Sequence, residues 1–134
     1  MSLTYTLLLR DVLVAIEAAG LEANLGFLHE SGPAKPALAL DLMEEFRPLV
    51  ADSLILELAN RHLLGLEQDH GNSSVLSPRP RRRLFSLYES RLHRARRAWN
   101  GQRMSYRRCI VLQAEQLAAV LAGKRSAYQP LRWA

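Results

Sequence analysis

The chain has 134 residues, a formal net charge of +5, 49% hydrophobic residues and 23% charged residues. This length and balance favour one globular domain with a real core, and they exclude an intrinsically disordered chain. No apolar run reaches the ~18 residues that a membrane-spanning helix needs, and the start lacks the features of a signal peptide, so we expect a cytoplasmic protein without membrane association.

Apolar residues recur at helical spacing along almost the whole chain, which predicts an all-α bundle of about five to six helices in a single domain over residues 1–134. The predicted helices cover residues 3–19, 36–47, 49–64, 77–99 and 105–122. Pro48 should stop or kink the second helix near Arg47, because proline disfavours helical geometry in the residue before it. Residues 65–76 have turn composition and should form a loop or one short hairpin. Cys109 is the only cysteine and is expected in the core.

Positive charge is concentrated in the second half of the chain. Residues 1–70 carry 4 Lys or Arg and 11 Asp or Glu, whereas residues 71–134 carry 14 Lys or Arg and 2 Asp or Glu. This asymmetry indicates nucleic acid as a partner, because Lys and Arg gain affinity by releasing counterions from phosphates. A solvated basic face, or a surface for an acidic partner, would explain the same pattern.

His29, Asp41 and Glu44 are the candidate metal-binding residues. His29 follows an apolar pair in an irregular segment, and Asp41 and Glu44 lie three apart on the predicted second helix, so they point to much the same side. An imidazole beside two carboxylates suits Mg²⁺ or Mn²⁺ better than zinc. Apolar residues nearly surround this helix in sequence, and charges on a buried helix favour pairing or a metal. The alternative is a hydrogen-bonded loop histidine beside a solvated acidic face, with Arg47 paired with Glu44.

Two stretches carry a specific resemblance, AIEAAGLEANLGFLHE at residues 15–30 and LALDLMEEFRPLVADSLILELANR at residues 38–61. They resemble the signature region of the CRISPR-associated adaptation integrases, the Cas-one family, in which a Gly-Phe-Leu-His segment precedes an Asp-Leu-Met-Glu-Glu-Phe-Arg helix. The later stretches RRRLFSLYESRL, MSYRRCIVLQAEQLAAVLAG and YQPLRW are similar to the family's last helices and tail. The resemblance therefore covers essentially the whole chain.

The resemblance implies a metal-dependent DNA endonuclease and integrase of CRISPR adaptation, which inserts spacer DNA into the CRISPR array by transesterification. His29 and Glu44 match the family's metal-binding residues and Asp41 matches the supporting acid, so these three are the implied catalytic residues, with Mg²⁺ or Mn²⁺ as cofactor. Glu45 and Arg47 match positions that flank this site.

The implied partners are double-stranded DNA, a second copy in a homodimer and a second CRISPR-associated adaptation protein, Cas-two. Arginines of the basic helices would neutralise DNA phosphates without reading sequence. These DNA-binding candidates are Arg79, Arg81, Arg82, Arg83, Arg91, Arg94 and Arg97.

The family's pattern is incomplete in this sequence. A further metal-binding glutamate lies in an earlier helix of the family, behind an amino-terminal β-rich domain, so we expect a carboxy-terminal catalytic-domain fragment that is inactive alone. Apolar side chains from Leu7 to Leu13, or at Ile16, should then be exposed. The alternatives are a non-enzymatic helical DNA-binding or interaction module that uses the basic second half, and an unrelated phosphodiesterase. The latter would need more histidines near acids, whereas His62, His70 and His93 look like surface or capping residues.

Overall fold

The computed structural model describes residues 2–20, 37–66, 78–97 and 102–130. Its α-helices are α1 (Leu3–Ala18), α2 (Ala37–Phe46), α3 (Ser53–Asn60), α4 (Pro78–Leu92) and α5 (Tyr106–Leu121). A π-helical turn, Arg47–Asp52, joins α2 to α3, a 3₁₀ turn covers Leu64–Leu66, and strands β1 (Ala95–Arg97) and β2 (Arg103–Ser105) pair antiparallel. The predicted all-α class is confirmed. Within the described ranges, no helix is long and apolar enough to cross a membrane.

The first and last helices begin and end at residues whose local chemistry stops a helix. The side-chain oxygens of Ser2 and Ser105 each accept the backbone N–H three residues ahead at 3.1 Å, which satisfies a donor that the helix leaves unpaired. Gly20 and Gly123 follow the opposite ends with φ of +91° and +78°, in the left-handed region that glycine enters readily. Both predicted helices are therefore confirmed to within one residue at each end.

Pro48 does not stop the helix in which it lies. The disturbance predicted there takes the form of the π-helical turn Arg47–Asp52, through which the chain runs from α2 into α3 without a break. Proline lacks an N–H and its ring displaces the preceding turn, and a wider turn accommodates both effects. Because α2, the π turn and α3 are continuous, the described residues hold four long helical segments, slightly fewer than the five to six predicted.

The predicted end of the fourth helix is wrong, because α4 ends at Leu92 rather than near residue 99. The chain then forms a hairpin in which Arg96 faces Met104, and its strand β2 leads directly into α5. Ala95 and Trp99 follow Leu92 at helical spacing, so the apolar pattern does not indicate this end, and strand pairing with residues 103–105 replaces the helix. The hairpin predicted at residues 65–76 falls largely outside the described residues, and Leu64–Leu66 form a 3₁₀ turn.

Helix α1 lies at the centre of the core. It packs against α2, the π turn and α5, and its residues Leu8, Val12 and Ile16 are 0% exposed. The exposed patch predicted on α1 is therefore wrong, because later helices of the same chain cover that face; Val14, at 60% exposure, points away from it. Cys109 of α5 is buried in the same core, as predicted.

Candidate metal and nucleic-acid site

Asp41 and Glu44 lie on the solvent side of α2. The opposite side of this helix is apolar and buries Leu42 and Phe46 at 3% and 0% exposure, whereas both carboxylates are exposed. The three-residue spacing brings the two acids to one side of the helix, as predicted. The sequence argument that these charges lie on a mostly buried helix is wrong, because the buried side chains described on α2 lie opposite both acids.

Arg47 is the nearest described cation to this pair of acids. Its Nη1 lies 3.5 Å from Oε2 of Glu44 and its Nε lies 3.9 Å from Oδ1 of Asp52, while its guanidinium stacks 4.7 Å from the centroid of the Tyr5 ring. This is the Arg47–Glu44 pair of the alternative interpretation, in which the two acids form a solvated face. The side chains of Arg47 and Glu44 are 43% and 58% exposed, and an ion pair in water contributes little stability. The Glu44 carboxylate therefore remains accessible to a second cation.

The hydroxyl of Tyr5 ties this arginine to α1. Tyr5 donates a hydrogen bond to Asp52, and this bond together with partial burial raises the pKa of Tyr5 above its usual value. The phenol is therefore neutral at physiological pH, and its ring presents a π face to the Arg47 cation.

Glu45 points away from the exposed pair and into the protein. Its carboxylate accepts a hydrogen bond from the hydroxyl of Tyr128, and Nε2 of Gln113 lies 3.3 Å from its Oε1. Gln113 is 3% exposed and donates to the Tyr128 hydroxyl at 3.0 Å. Burial, and then the bond to Glu45, raise the pKa of Tyr128. Glu45, placed only beside the site from sequence, thus belongs to a polar network that joins α2 to α5 and the tail.

The predicted DNA-binding arginines divide into different environments. Arg79, Arg82 and Arg83 are exposed near the start of α4, and Arg94 is exposed just after its end. Arg81 is half-buried, and the side chain of Arg97 lies outside the described residues. In the second half of the chain, further described arginines that the prediction did not include are exposed, among them Arg103, Arg108 and Arg125.

Arg91 differs from the other arginines of this group because it is only 7% exposed. It donates a hydrogen bond to Glu57 of α3, whose carboxylate also receives Arg61 at 3.2 Å. Burial, and then the positive charge of Arg94, lower the pKa of Arg91. Because the Arg91 guanidinium is bonded to Glu57, it is not available to bind a DNA phosphate. Arg91 lies three residues after Tyr88, on the buried side of α4, and this spacing is the sequence signal from which its burial could be predicted.

Comparison with known proteins places the chain in a family. The family model described as CRISPR associated protein Cas1 matches residues 1–90, which is most of the chain. The chain belongs to the Cas1 family. Among curated Cas1 relatives, it is 39% and 42% identical to two proteins of Thermus thermophilus named CRISPR-associated endonuclease Cas1 3 and Cas1 1, over 97% of the chain in each case. It is 37% identical to a Cas1 endonuclease of Rhodospirillum rubrum over 99% of its length. The resemblance recognised in the sequence is confirmed.

The chain spans about 40% of the length of these Cas1 relatives. Solved structures agree with this partial match. A casposase bound to integration product superposes with a TM-score of 0.73 at 26% identity, over 95% of this chain and 38% of the casposase. A Cas1 protein of Thermotoga maritima superposes with a TM-score of 0.72 at 26% identity, over 91% of this chain and 39% of that protein.

His29, which was predicted to bind the metal together with Glu44, lies outside the described residues. Among the residues that the structure describes, no three histidine, cysteine or acidic side chains converge in a way that would hold a metal. Asp41 and Glu44 nevertheless offer exposed carboxylate oxygens, the donor type that Mg²⁺ and Mn²⁺ prefer. The described histidines His62 and His93 are exposed, as predicted.

Proposed function

We propose that this Cas1-family chain is part of a metal-dependent DNA endonuclease and integrase that acts in the cytoplasm in CRISPR adaptation. The observation that carries the proposal is the pair of exposed carboxylates, Asp41 and Glu44, on one side of α2 within the segment that matches the family. Relatives named as endonucleases, and a structural neighbour bound to an integration product, support the same class of chemistry.

His29 and Glu44 would hold Mg²⁺ or Mn²⁺, with Asp41 supporting the site from close by. When bound, such a cation supplies stabilisation of negative charge on a phosphodiester and lowers the pKa of an attacking oxygen. Release of Glu44 from Arg47 costs little, because Arg47 keeps Asp52 and the ring of Tyr5 as partners. Glu44 can therefore turn towards a cation without leaving a buried charge unpaired.

The exposed arginines Arg79, Arg82, Arg83 and Arg94 would neutralise phosphates of double-stranded DNA, whereas Arg91 would hold α3 against α4. Arg81 and Arg97 stay in the proposed DNA-contacting group. Phosphate contacts of this kind give affinity that falls steeply with salt and does not depend on base sequence.

We propose further that residues 1–134 form one helical domain, the carboxy-terminal catalytic part of a Cas1 integrase. A homodimer and a second adaptation protein, Cas-two, are its proposed partners. The chain covers only about 40% of its curated relatives. A metal-binding glutamate supplied by the remaining part would then be needed, so strand joining by this polypeptide alone should be low or absent.

Electron paramagnetic resonance of Mn²⁺ tests the metal part of the proposal. Glu44→Gln and His29→Ala should each weaken Mn²⁺ binding about tenfold, whereas Glu115→Gln, which changes an exposed acid on α5, should leave it unchanged. Equal affinity in all variants would contradict a site at Glu44. Tight binding by the unmodified chain that disappears in His29→Ala would contradict the claim that a ligand is missing.

Incubation with branched DNA and Mn²⁺ tests the reaction. Joined strands would indicate integrase chemistry, cleaved strands a phosphodiesterase, and loss of either product in His29→Ala would assign it to this site. Strand joining by this polypeptide alone would contradict the proposal that a missing glutamate is required.

A non-enzymatic DNA-binding module is the second candidate, and the exposed arginines of α4 favour it. In that case DNA binding should be steeply salt-dependent and unchanged by a chelator or by His29→Ala. A chelator-sensitive complex would count against this candidate.

A further inference from the structure

The tail that follows α5 is held by a set of side chains that we call the tail clasp: Gln113 and Gln116 of α5 with Tyr128 and Gln129 of the tail. The Gln116 amide pairs with both peptide groups of Gln129, since its Oε1 accepts the N–H at 2.5 Å and its Nε2 lies 3.2 Å from the carbonyl oxygen. Nε2 of Gln113 lies 3.1 Å from the same carbonyl oxygen. The tail is thus fixed by directional bonds at two positions one helical turn apart on α5.

The tail clasp reaches α2 at Glu45, through the hydroxyl of Tyr128 and through Nε2 of Gln113, which lies 3.3 Å from Oε1 of Glu45. This hydroxyl donates a hydrogen bond to the Glu45 carboxylate and accepts one from Gln113, so it acts as both donor and acceptor. The network lies in a partly buried region, where a hydrogen bond to a charged group is stronger than in water. Glu45 is thereby anchored to the end of the described chain, 83 positions away in sequence.

Glu45 is the neighbour of Glu44 on α2, and consecutive helical residues diverge by about 100° around the axis. An anchor on Glu45 therefore fixes the rotation of the helix, and with it the direction in which Asp41 and Glu44 project. The apolar face of α2 does not fix the rotation of the helix in the same way. Burial of Leu42 and Phe46 is non-directional, so it tolerates small rotations and translations of the helix.

We propose that Tyr128 is a positioning residue for the cation site, and that the tail clasp orients the Asp41 and Glu44 carboxylates through Glu45. The inference rests on the proposed function for the identity of the site. Its mechanical part, the control of α2 by the tail, does not depend on metal. Tyr128 acts through Glu45 and touches no reacting atom.

Tyr128→Phe removes the hydroxyl and keeps the ring, and Tyr88→Phe is the matched control. Tyr88, which is more deeply buried than Tyr128, is likewise bonded to a carboxylate, but its partner is Asp11 of α1, and among the described residues it has no hydrogen bond to α2. Two measurements on the 134-residue chain are compared between the variants. These are amide hydrogen exchange across α2 and α4, and broadening of the Asp41 and Glu44 amide signals by added Mn²⁺.

In Tyr128→Phe, exchange of the α2 amides should rise about tenfold while that of α4 stays unchanged, and half-broadening should need about tenfold more Mn²⁺. Tyr88→Phe should raise exchange across α4 at least as much as across α2, because its bond joins α4 to α1, and it should leave the Mn²⁺ broadening unchanged. Glu45→Ala removes the Gln113 contact as well, so its effect should be at least that of Tyr128→Phe, and the double variant should be no worse than Glu45→Ala, because the Tyr128 contact is then already lost.

Unchanged exchange across α2 in Tyr128→Phe, or an equal rise in α2 and α4, would overturn the positioning role. So would unchanged Mn²⁺ broadening when the unmodified chain binds the ion at α2. If Mn²⁺ fails to broaden Asp41 and Glu44 in the unmodified chain, the metal part of the proposed function fails instead. The exchange measurement then decides separately whether the tail clasp controls α2.

Discussion

Tyr88 donates a 2.7 Å hydrogen bond to Oδ2 of Asp11, a residue 77 positions earlier, and thereby joins α4 to α1. The same carboxylate lies 3.7 Å from Nη1 of Arg107 on α5, whose Nη2 lies 2.9 Å from Glu89. Tyr88 is 1% exposed, so its hydroxyl depends on Asp11 as its partner within the protein. Three helices therefore share one polar cluster at the edge of the apolar core.

Substitutions in this cluster should affect stability more than function. Tyr88→Phe should lower the free energy of unfolding by about 1–2 kcal/mol, since it removes one hydrogen bond to a charged group. Asp11→Ala should cost more, about 2–3 kcal/mol, because it leaves the buried phenol without an acceptor. Urea unfolding measures both. If the two substitutions are additive in the double variant, they do not act through the Tyr88–Asp11 bond.

Stability should fall as the pH rises above about 9. Burial raises the pKa of Tyr88 and of Tyr128 above that of free tyrosine, and it raises the pKa of Cys109 to about 11. Each folded-state pKa is raised, so the contribution is fully present below the unfolded pKa, about 8.5 for Cys and 10 for Tyr, and is lost at higher pH. Urea unfolding between pH 7 and 11 should show this decline. Tyr88→Phe should show a shallower one, and an equal slope would contradict the assignment.

Cys109 should resist alkylation in the folded protein. Its side chain is 0% exposed, and burial raises the pKa of the thiol to about 11. At pH 8 the lower thiolate fraction alone should slow reaction with iodoacetamide by roughly a hundredfold relative to the chain in urea. Mass spectrometry of timed samples measures the rate. Alkylation at the rate of an exposed thiol, with helical content intact, would show that the core around α5 opens readily.

Substitution of Arg91 and of Arg83 should distinguish an arginine that stabilises the fold from one that binds nucleic acid. Arg91→Ala should destabilise the fold by about 2 kcal/mol, less than for a fully buried pair, because Glu57 is itself 33% exposed. Arg83→Ala should change stability by less than about 0.5 kcal/mol and lower the slope of log affinity against log salt by about 1. Unfolding curves and DNA titrations at several salt concentrations test the pair. If instead Arg83→Ala destabilised the fold and Arg91→Ala lowered the salt dependence of DNA binding, the two assignments would be contradicted.

The helices that the sequence predicts best are those with local stop signals. α1 and α5 each follow a capping serine and precede a glycine with positive φ, and these signals are readable within a few residues. α4 has no such signal at its end. Its prediction runs past Leu92 because the hairpin that replaces the helix depends on pairing Arg96 with Met104, eight positions later.

The sequence predicts only part of the candidate site. Asp41 and Glu44 share a side of α2 because of helical geometry, which spacing alone predicts. The bond between Tyr128 and Glu45 joins residues 83 positions apart, and no local pattern in the sequence indicates it. The burial of Arg91 could be predicted, because helical periodicity places it on the same side of α4 as Tyr88. Its positive charge instead led to the prediction that it binds DNA.

The central position of α1 has a consequence for how the protein is made. Helix α1 leaves the ribosome before α5, one of the helices that cover it, because Tyr106–Leu121 follow Leu3–Ala18 in the chain. Until α5 emerges, the side of α1 that carries Leu8, Val12 and Ile16 lacks its last cover. Nascent chains from which α5 has not yet emerged should therefore bind chaperones that recognise apolar helices, and release should coincide with the emergence of α5.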